Sequence, residues 1–301
     1  MSFGNQVSLE LIRNMIASSF AFHFTSLDLS NNHLGIQECE LLANGSSLVN
    51  LKILNVEGNG KLGDEGVQVL MSSRFLSNIT QLVLRDVGIG DKGVEYIATC
   101  QNMSNLRVLY LGYNRIQGKE GCHLSNSPIL SNLTDLELER NILDSSSFES
   151  IANCTHWTLS ILNVNFNHIQ QITRLDKASV KTKLMLRGNE IGPESAQVIA
   201  QCCHFSNLKY LDLSYNPIGP TGMKYIVNGP YLSNLEKLKV YRSCIEEEGG
   251  LSIAHHGMNL PKLRSLDVDG NGIGFHTLEM IKNNLKCLEK MYPKQCNFTG
   301  R

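Results

Sequence analysis

Apolar residues recur along this chain in one pattern, L-x-x-L-x-L-x-x-N-x-L. Successive copies mostly begin 26 to 28 residues apart. The ten copies begin at Phe24, Leu51, Ile79, Leu106, Leu133, Leu159, Lys181, Leu208, Leu235 and Leu263. A near-constant period predicts a repeat architecture, in which each copy is one supersecondary unit that packs on its neighbours.

Each copy predicts a strand followed by a helix. In Leu109-Tyr110-Leu111 the period of two places both leucines on one face of a short strand. Residues 91–98 and 193–200 begin with an acidic residue or proline and then carry apolar residues three and four apart, which predicts an outer helix. Strands stack more closely than helices do, so the expected fold is an α/β solenoid of about ten repeats, a horseshoe with a parallel concave sheet and convex helices.

Asparagine follows the strand in eight copies, where its side-chain amide is expected to bind backbone groups of the bend. These residues are Asn32, Asn59, Asn114, Asn141, Asn167, Asn189, Asn216 and Asn271. Val87 and Ser243 replace it in the third and ninth copies, so those two bends are expected to lack the amide. The sixth copy is short, and its segment 170–179 has room for little more than a helical turn.

These motifs resemble the leucine-rich repeat family, and the period of 27–28 residues is similar to that of its ribonuclease-inhibitor-like class. The resemblance covers residues 24 to 290 and implies one repeat domain over 24–291. An N-terminal helical cap over 1–23 would precede it, with a capping helix from Ser8 to Phe22. The last outer helix is expected from Thr277 to Met291, and a C-terminal tail over 292–301.

Composition excludes several function classes. The chain has 27 Lys and Arg residues against 28 Asp and Glu residues, so bulk charge favours neither nucleic acid nor an anionic membrane. No run of 18 apolar residues predicts a membrane span. Nine cysteines are an odd number without a Cys-x-x-Cys pair, which favours reduced thiols in the cytoplasm and no metal. Six Asn-x-Ser/Thr sequons are the feature that points to secretion instead.

Three cysteines occupy equivalent places in their copies. Cys100, Cys154 and Cys202 align with Gly45, Ser72, Ser127 and Gly229 of other copies. A position that accepts Gly, Ser or Cys is interpreted as a packing position with little space, where cysteine acts as a small hydrophobe. No Gly-x-Ser-x-Gly elbow or phosphate-binding loop occurs, and the repeats use nearly all of the chain, so no enzyme and no cofactor is predicted.

The variable strand positions, which point away from the leucine core, carry the candidate binding residues. Tyrosine and arginine dominate interface hot spots, although the same residues also occur as ordinary solvated strand residues. The candidates are Arg85, Tyr110, Tyr113, Glu137, Glu139, Arg140, Phe166, Arg187, Tyr215, Lys239, Tyr241 and Arg242. The fifth strand is acidic and the seventh to ninth are largely basic. For the basic half, the alternative to a protein partner is a nucleic acid whose bases stack on the tyrosines.

The expected function is that of a non-catalytic, monomeric module that binds a partner protein through its concave face. Family members that inhibit ribonucleases are far richer in cysteine, and those that activate GTPases carry an acidic tail, whereas this chain ends in Asn-Phe-Thr-Gly-Arg. Neither ribonuclease inhibition nor GTPase activation is therefore predicted for this chain. The alternatives are an effector that an intracellular bacterium delivers into the host cytoplasm, or a regulator in trans of a host enzyme or small GTPase.

Overall fold

A computed structural model of the chain describes residues 8–118 and 123–292. The chain divides into two compact units. Unit 1 comprises residues 1–143 and 154–159, and unit 2 comprises residues 144–153 and 160–301. Both units repeat the step from strand to outer segment, which confirms the predicted α/β solenoid with parallel strands.

Unit 1 begins with a helix and a 3₁₀ turn, and then alternates strands with outer helices. Its elements are α1 (Leu9–Ala17), a 3₁₀ turn (Ser19–His23), β1 (Ser26–Asp28), α2 (Ile36–Asn44), β2 (Ile53–Asn55), α3 (Gly63–Met71), β3 (Gln81–Val83), α4 (Asp91–Thr99), β4 (Val108–Tyr110) and β5 (Asp135–Glu137). The strands pair in chain order and in parallel, with one leucine of each copy opposite the next.

Unit 2 repeats this order from a helix onward. Its elements are α5 (Ser145–Ala152), β6 (Ile161–Asn163), β7 (Lys183–Met185), α6 (Pro193–Gln201), β8 (Tyr210–Asp212), α7 (Gly219–Val227), β9 (Lys237–Lys239), α8 (Glu246–His256), β10 (Ser265–Asp267), α9 (Phe275–Asn284) and β11 (Lys290–Tyr292). Leu162, Leu184, Leu211, Leu238 and Leu266 lie opposite one another along these strands.

The leucines of each copy form the core because the strand exposes only one of its faces. Leu109 and Leu111 are fully buried, whereas Tyr110 between them is half-buried. Leu211 and Leu213 of unit 2 are buried to the same extent. At about 25 cal/mol per Å² of apolar surface, each such leucine contributes roughly 1.5–3 kcal/mol to the free energy of unfolding.

The asparagine after each strand forms the ladder that the sequence predicts. In Asn114, Oδ1 accepts hydrogen bonds from the backbone N–H groups of Val87, Gly88 and Ile89 at 3.0–3.2 Å. Its Nδ2 donates to the carbonyls of Leu84 and Leu111 at 2.7 and 3.0 Å. One amide therefore satisfies backbone groups of its own bend and of the preceding one, which a buried bend requires.

The two substituted bends are satisfied in different ways. The Ser243 hydroxyl donates to the Leu213 carbonyl at 2.9 Å, which replaces the donor half of the missing amide. The carbonyl of Val87 accepts from Gly63 N–H at 2.8 Å. Ser243 has no amide oxygen to accept hydrogen bonds from backbone N–H groups of the preceding bend. Its copy therefore keeps only the donor half of the ladder.

Two outer segments show no α-helix among the residues that the structure describes. Between β6 and β7 the predicted helical turn over 170–179 is wrong, because the segment is extended or turned throughout. Side chains of unit 2 satisfy it instead: Ser145 Oγ accepts from Gln170 and Gln171 N–H at 2.9 and 3.0 Å, and Asn153 Oδ1 accepts from Lys177 N–H at 3.0 Å. Between β4 and β5, the described residues contain a 3₁₀ turn, Pro128–Leu130, and no α-helix.

The two ends differ slightly from the predicted caps. Ser8 caps α1 through its hydroxyl, which accepts from Leu11 N–H at 3.2 Å, as expected for a capping helix that begins there. The last outer helix ends at Asn284 rather than Met291, and Lys290–Tyr292 form an additional parallel strand against β10. The prediction missed this strand because its copy has Met291 in place of leucine and Pro293 where the second strand leucine belongs. Residues 293–301 lie outside the described part.

Candidate binding face

All twelve predicted site residues lie on what we call the strand face. In each unit this is the surface formed by the side chains that alternate with the core leucines, together with the two residues that follow the second core leucine (or valine) of each copy. Unit 1 carries Arg85, Tyr110, Tyr113, Glu137, Glu139 and Arg140, and unit 2 carries Phe166, Arg187, Tyr215, Lys239, Tyr241 and Arg242. In each unit the structure brings several of them into direct contact.

The residue immediately before each ladder position has a left-handed backbone, with φ between 50° and 72°. Glycine occupies it in three copies and a side chain in seven: Asn31, Gly58, Asp86, Tyr113, Arg140, Phe166, Gly188, Tyr215, Arg242 and Gly270. A residue with a Cβ pays about 1–2 kcal/mol to adopt this conformation. Five of these strained residues are predicted site residues. A bulky residue in a strained backbone conformation is often one retained for function rather than for stability.

In unit 1 the strand face is built around an ion pair between Arg85 and Glu137. Arg85 donates from Nε to Glu137 Oε1 at 2.6 Å and from Nη2 to Oε2. The guanidinium also lies 4.5 Å from the ring centroid of Tyr110, and Nη1 is 4.0 Å from Glu57 Oε2. Glu137 is buried, so the bidentate pair supplies the positive charge that this carboxylate needs.

A cavity of about 430 Å³ opens beside this ion pair. It is lined by Glu57, Arg85, Asp86, Tyr113, Glu137 and Glu139. Gly112 leaves the room for Glu137, because a Cβ at Gly112 would lie 2.7 Å from Glu137 Oε1. At the edge of the cavity Arg140 lies 5.2 Å from the Tyr113 ring. With Arg85 committed to Glu137, the remaining lining is acidic.

In unit 2 the strand face carries what we call the aromatic–arginine row: Phe166, Arg187, Tyr215, Tyr241 and Arg242. The Arg187 guanidinium lies 5.5 Å from the Phe166 ring and 4.8 Å from the Tyr215 ring. Tyr215 and Tyr241 meet edge to face with centroids 5.1 Å apart, and Arg242 lies 5.5 Å from the Tyr241 ring. Cation–π and aromatic contacts of this kind hold the five side chains as one surface.

The arginines of the row differ from Arg85 in their charge partners. Within the part of the chain that the structure describes, neither Arg187 nor Arg242 has a carboxylate within 4.0 Å. The Nε of Arg187 is buried and has no hydrogen-bond partner. Nearby, the carboxylate of Asp212 is occupied by Lys239, at 3.9 Å from its Nζ.

Tyr210 is a strand-face residue that the sequence reasoning missed. It precedes Leu211 in β8 and lies two residues before Asp212, so the period of two already places both on the same face. Its hydroxyl donates to Asp212 Oδ2 at 3.2 Å, and Lys237 Nζ lies 5.3 Å from its ring. Burial, followed by the neighbouring Asp212 carboxylate, raises the pKa of Tyr210. Burial also raises the pKa of the Asp267 carboxyl on the next strand but one.

Comparison with known proteins identifies the repeat. The leucine-rich repeat family model matches residues 21–35, 47–71, 75–98, 205–227 and 259–274. These stretches contain the leucine strands and asparagine bends described above. The matched stretches identify the repeats of this chain as leucine-rich repeats. A search of curated protein sequences gave no match. The assignment to the ribonuclease-inhibitor-like class stays a prediction.

Solved leucine-rich repeat structures share the fold at low sequence identity. A chain of the crystal structure of the Rad7 and Elc1 complex in yeast is 14% identical, with a TM-score of 0.64 over 97% of this chain and 74% of that one. A leucine-rich repeat protein of Leptospira interrogans is 20% identical, with a TM-score of 0.53 over 97% and 82%. A chain of the mouse RP105/MD-1 complex is 19% identical, with a TM-score of 0.50 over 88% and 50%.

The aligned cysteines of the repeats are hydrogen-bond donors as well as packing residues. Cys100, Cys154 and Cys202 donate from Sγ to carbonyls of the preceding copy at 3.1–3.4 Å. Ser127 makes the same bond to the Ala98 carbonyl, at 2.5 Å. Burial raises the pKa of Cys202 to about 11, which keeps this thiol protonated. Cys154 and Cys202 are buried, but Cys100 is only half-buried, which differs from the expectation for that residue.

One aligned serine was assigned wrongly. Ser72 is exposed at the end of α3, and its neighbour Ser73 donates to the Ala43 carbonyl at 2.6 Å instead. Among residues 8–118 and 123–292, no group of three or more His, Cys, Asp or Glu side chains could hold a metal ion. Within the same residues, no helix combines the length and apolar character needed to cross a bilayer.

Proposed function

We propose that this leucine-rich repeat chain is a protein-binding module whose strand face, on the predicted concave side, contacts a partner protein. The observation that carries the proposal is the set of aromatic and arginine side chains held in left-handed backbone conformations. Tyr113, Phe166 and Tyr215 occupy a position that glycine fills without strain elsewhere in the same chain. The core has no need of these rings, since Tyr113 and Tyr215 are 51% and 37% exposed.

Two further features support the strand face as the contact surface. It concentrates tyrosine and arginine, which supply large contact areas and directional hydrogen bonds in interfaces. Its side chains are also fixed by contacts with one another, so less conformational entropy is lost on binding. We propose that the module acts by binding, as a cytoplasmic monomer, without catalysing a reaction and without nucleic acid or membrane.

Site-specific photocrosslinking in a lysate of the source cells tests this proposal. Benzoylphenylalanine replaces Tyr113 in one variant and Tyr215 in another. Lys224, exposed on the outer helix α7, is the control position in unit 2. Phe20 lies in the N-terminal 3₁₀ turn and is 74% exposed, so it serves as an aromatic control position away from the strand face. Only the strand-face positions are expected to yield one abundant crosslinked protein.

The captured protein is then titrated against purified variants. Tyr113→Ala or Tyr215→Ala is expected to weaken its affinity about thirtyfold, as for a hot-spot truncation of about 2 kcal/mol. Glu247 is unsuitable as the outer-surface control, because its carboxylate accepts from Gly274 N–H at 2.6 Å and from the Thr277 hydroxyl. Glu248→Lys, exposed one residue further on, is the better control and should leave the affinity unchanged.

Crosslinking from Lys224 or Phe20, with none from the two tyrosine positions, would show that the partner docks elsewhere. The identity of the captured protein also separates the narrower alternatives. An enzyme or a small GTPase of a host cell would favour a regulator or a delivered effector over a general scaffold.

A further inference from the structure

We infer that the aromatic–arginine row of unit 2 binds a carboxylate-rich segment of a partner protein, with Arg187 and Arg242 as its charge-recognition residues. The inference rests on the proposed function and names the chemistry of the partner. It also distinguishes the two units, because only unit 2 is inferred to bind a carboxylate-rich segment.

Arg187 is held in place by aromatic neighbours and carries a donor without a partner. Phe166 and Tyr215 hold its guanidinium at 5.5 and 4.8 Å from their ring centroids, so its position is fixed before any partner arrives. The buried Nε has no hydrogen-bond partner. A planar guanidinium that is stacked but unpaired still presents N–H donors in the geometry that a carboxylate accepts. Arg187 is therefore a preorganised donor without an acceptor.

The charges near Arg187 on the strand face are mostly positive. Lys183 on β7 and Lys237 on β9 have no ion-pair partner in the described ranges, and Arg242 is exposed beside Tyr241. These four cations face the same side of neighbouring strands. On β8 between them, the carboxylate of Asp212 is already engaged by Tyr210 and Lys239. The strand face around the aromatic–arginine row therefore carries a net positive charge.

Acidic residues at β10 form the boundary of this basic surface. Asp267 and Asp269 follow on β10, and Asp269 uses one carboxylate oxygen to accept from Gly270 N–H at 2.9 Å. These carboxylates would repel an acidic segment that continued past β9. Arg187 and Arg242 follow β7 and β9, which are two strand spacings or roughly 10 Å apart. An extended peptide rises about 3.3 Å per residue, so carboxylates two to four residues apart would reach both arginines.

The same geometry favours a peptide over a nucleic acid. Bases bind such surfaces by stacking on free aromatic faces. In the row, guanidinium groups lie over Phe166 and Tyr215, and the edge of one tyrosine meets the other. A carboxylate binds the edge of a guanidinium group rather than its face, whereas a base would have to displace an arginine from an aromatic ring.

Fluorescence anisotropy with defined probes tests the inference. The probes are fluorescein-labelled hexaglutamate, hexaglutamine flanked by glycine and serine, and a uridine octanucleotide, each titrated with the full chain in low salt. Hexaglutamate should bind and hexaglutamine should not. Arg187→Gln with Arg242→Gln should weaken hexaglutamate binding about tenfold or more, since both charge-assisted donors are lost. Arg187→Lys with Arg242→Lys keeps the charge without the planar fork and should give an intermediate loss.

A charge-matched control separates recognition from bulk attraction. Lys224→Gln with Lys282→Gln removes two exposed cations from the outer helices α7 and α9, and should change the affinity less than twofold. Thermal unfolding followed by circular dichroism checks that each variant is folded.

The inference is overturned if hexaglutamate fails to bind, or if it binds the Arg187→Gln and Arg242→Gln double variant as tightly as the natural chain. Tighter binding of the uridine octanucleotide, lost in that double variant, would make the row a nucleic-acid site instead. Either result leaves the proposed function standing if a protein is still captured from Tyr113 in unit 1, so the two failures are distinguishable.

Discussion

Arg85 in unit 1 and Arg187 in unit 2 occupy the same position of their repeats, yet their electrostatic surroundings are opposite. Both follow the second strand leucine and both stack on aromatic rings. Two copies after Arg85 stands Glu137, which pairs with it through both carboxylate oxygens. Two copies after Arg187 the equivalent residue is Lys239. One change of sign therefore decides whether the arginine is neutralised within its own unit.

The two units also differ at the position that gives the carboxylate of Glu137 its space in unit 1. Gly112 leaves space for the Glu137 carboxylate, whereas the equivalent Ser214 of unit 2 has a side chain whose Oγ accepts from Tyr241 N–H at 3.2 Å. A repeat scaffold can therefore use one arginine position in two ways. In unit 1 the arginine stabilises the fold around a buried carboxylate, and in unit 2 it is left available for a partner.

Truncation of a core leucine should lower the free energy of unfolding more than any other change, and by a similar amount in both units. Equal losses would show that the two strand faces rest on equivalent cores. Leu111→Ala and Leu213→Ala each remove a fully buried strand leucine. Each should lower the free energy of unfolding by about 2–5 kcal/mol, from lost burial and the cavity left behind. Urea titration measures both. Losses under about 1 kcal/mol at both positions would contradict the assigned register.

Arg85 and Arg187 should differ in how much each contributes to the free energy of unfolding. Arg85→Met leaves the Glu137 carboxylate buried without its cation, and should lower the free energy of unfolding by about 1–3 kcal/mol. Arg187→Met loses cation–π contacts of about 0.5–1 kcal/mol, but it also removes a buried donor that has no acceptor. Its loss of stability should therefore be clearly the smaller in the same urea titration.

Double-mutant cycles sharpen this result. The cycle of Arg85→Met with Glu137→Met should show a favourable coupling of about 1 kcal/mol or more, and the cycle of Arg187→Met with Lys239→Met should show none. Equal losses for the two arginines, or a favourable coupling in unit 2, would remove the distinction between the faces.

The smallest expected effect concerns the left-handed positions that both units share. At Tyr113 and Tyr215, replacement by glycine should give a variant more stable than replacement by alanine, by about 1 kcal/mol, because alanine keeps the backbone strain. Tyr110 lies in strand β4, where the order should reverse, since glycine weakens a strand by roughly 0.5–1 kcal/mol relative to alanine. Thermal unfolding of the six variants measures both differences. Alanine variants more stable than glycine variants at positions 113 and 215 would show that these backbones carry no strain.

The sequence determined the repeat, the strand register and the ladder without help from coordinates. A leucine must recur at a fixed place in every copy, because a one-residue slip would turn its side chain out of the core. The asparagine ladder follows from the same spacing. The left-handed position is also visible in the sequence. Gly58, Gly188 and Gly270 occupy the same place in their copies as Tyr113 and Tyr215 do in theirs. The missed Tyr210 could have been found from the period of two.

Other features depended on contacts between copies, which no pattern within one copy specifies. The sixth copy is too short for a full outer helix, and only the structure shows that Ser145 of α5 accepts hydrogen bonds from its backbone N–H groups instead. Arg85 reaches Glu137 across 52 residues of sequence because Gly112 leaves the space between them. Local periodicity fixes which face a residue occupies, but charge pairing depends on distances across the stacked strands. Only the tertiary structure decided which arginine is paired and which is left without a carboxylate.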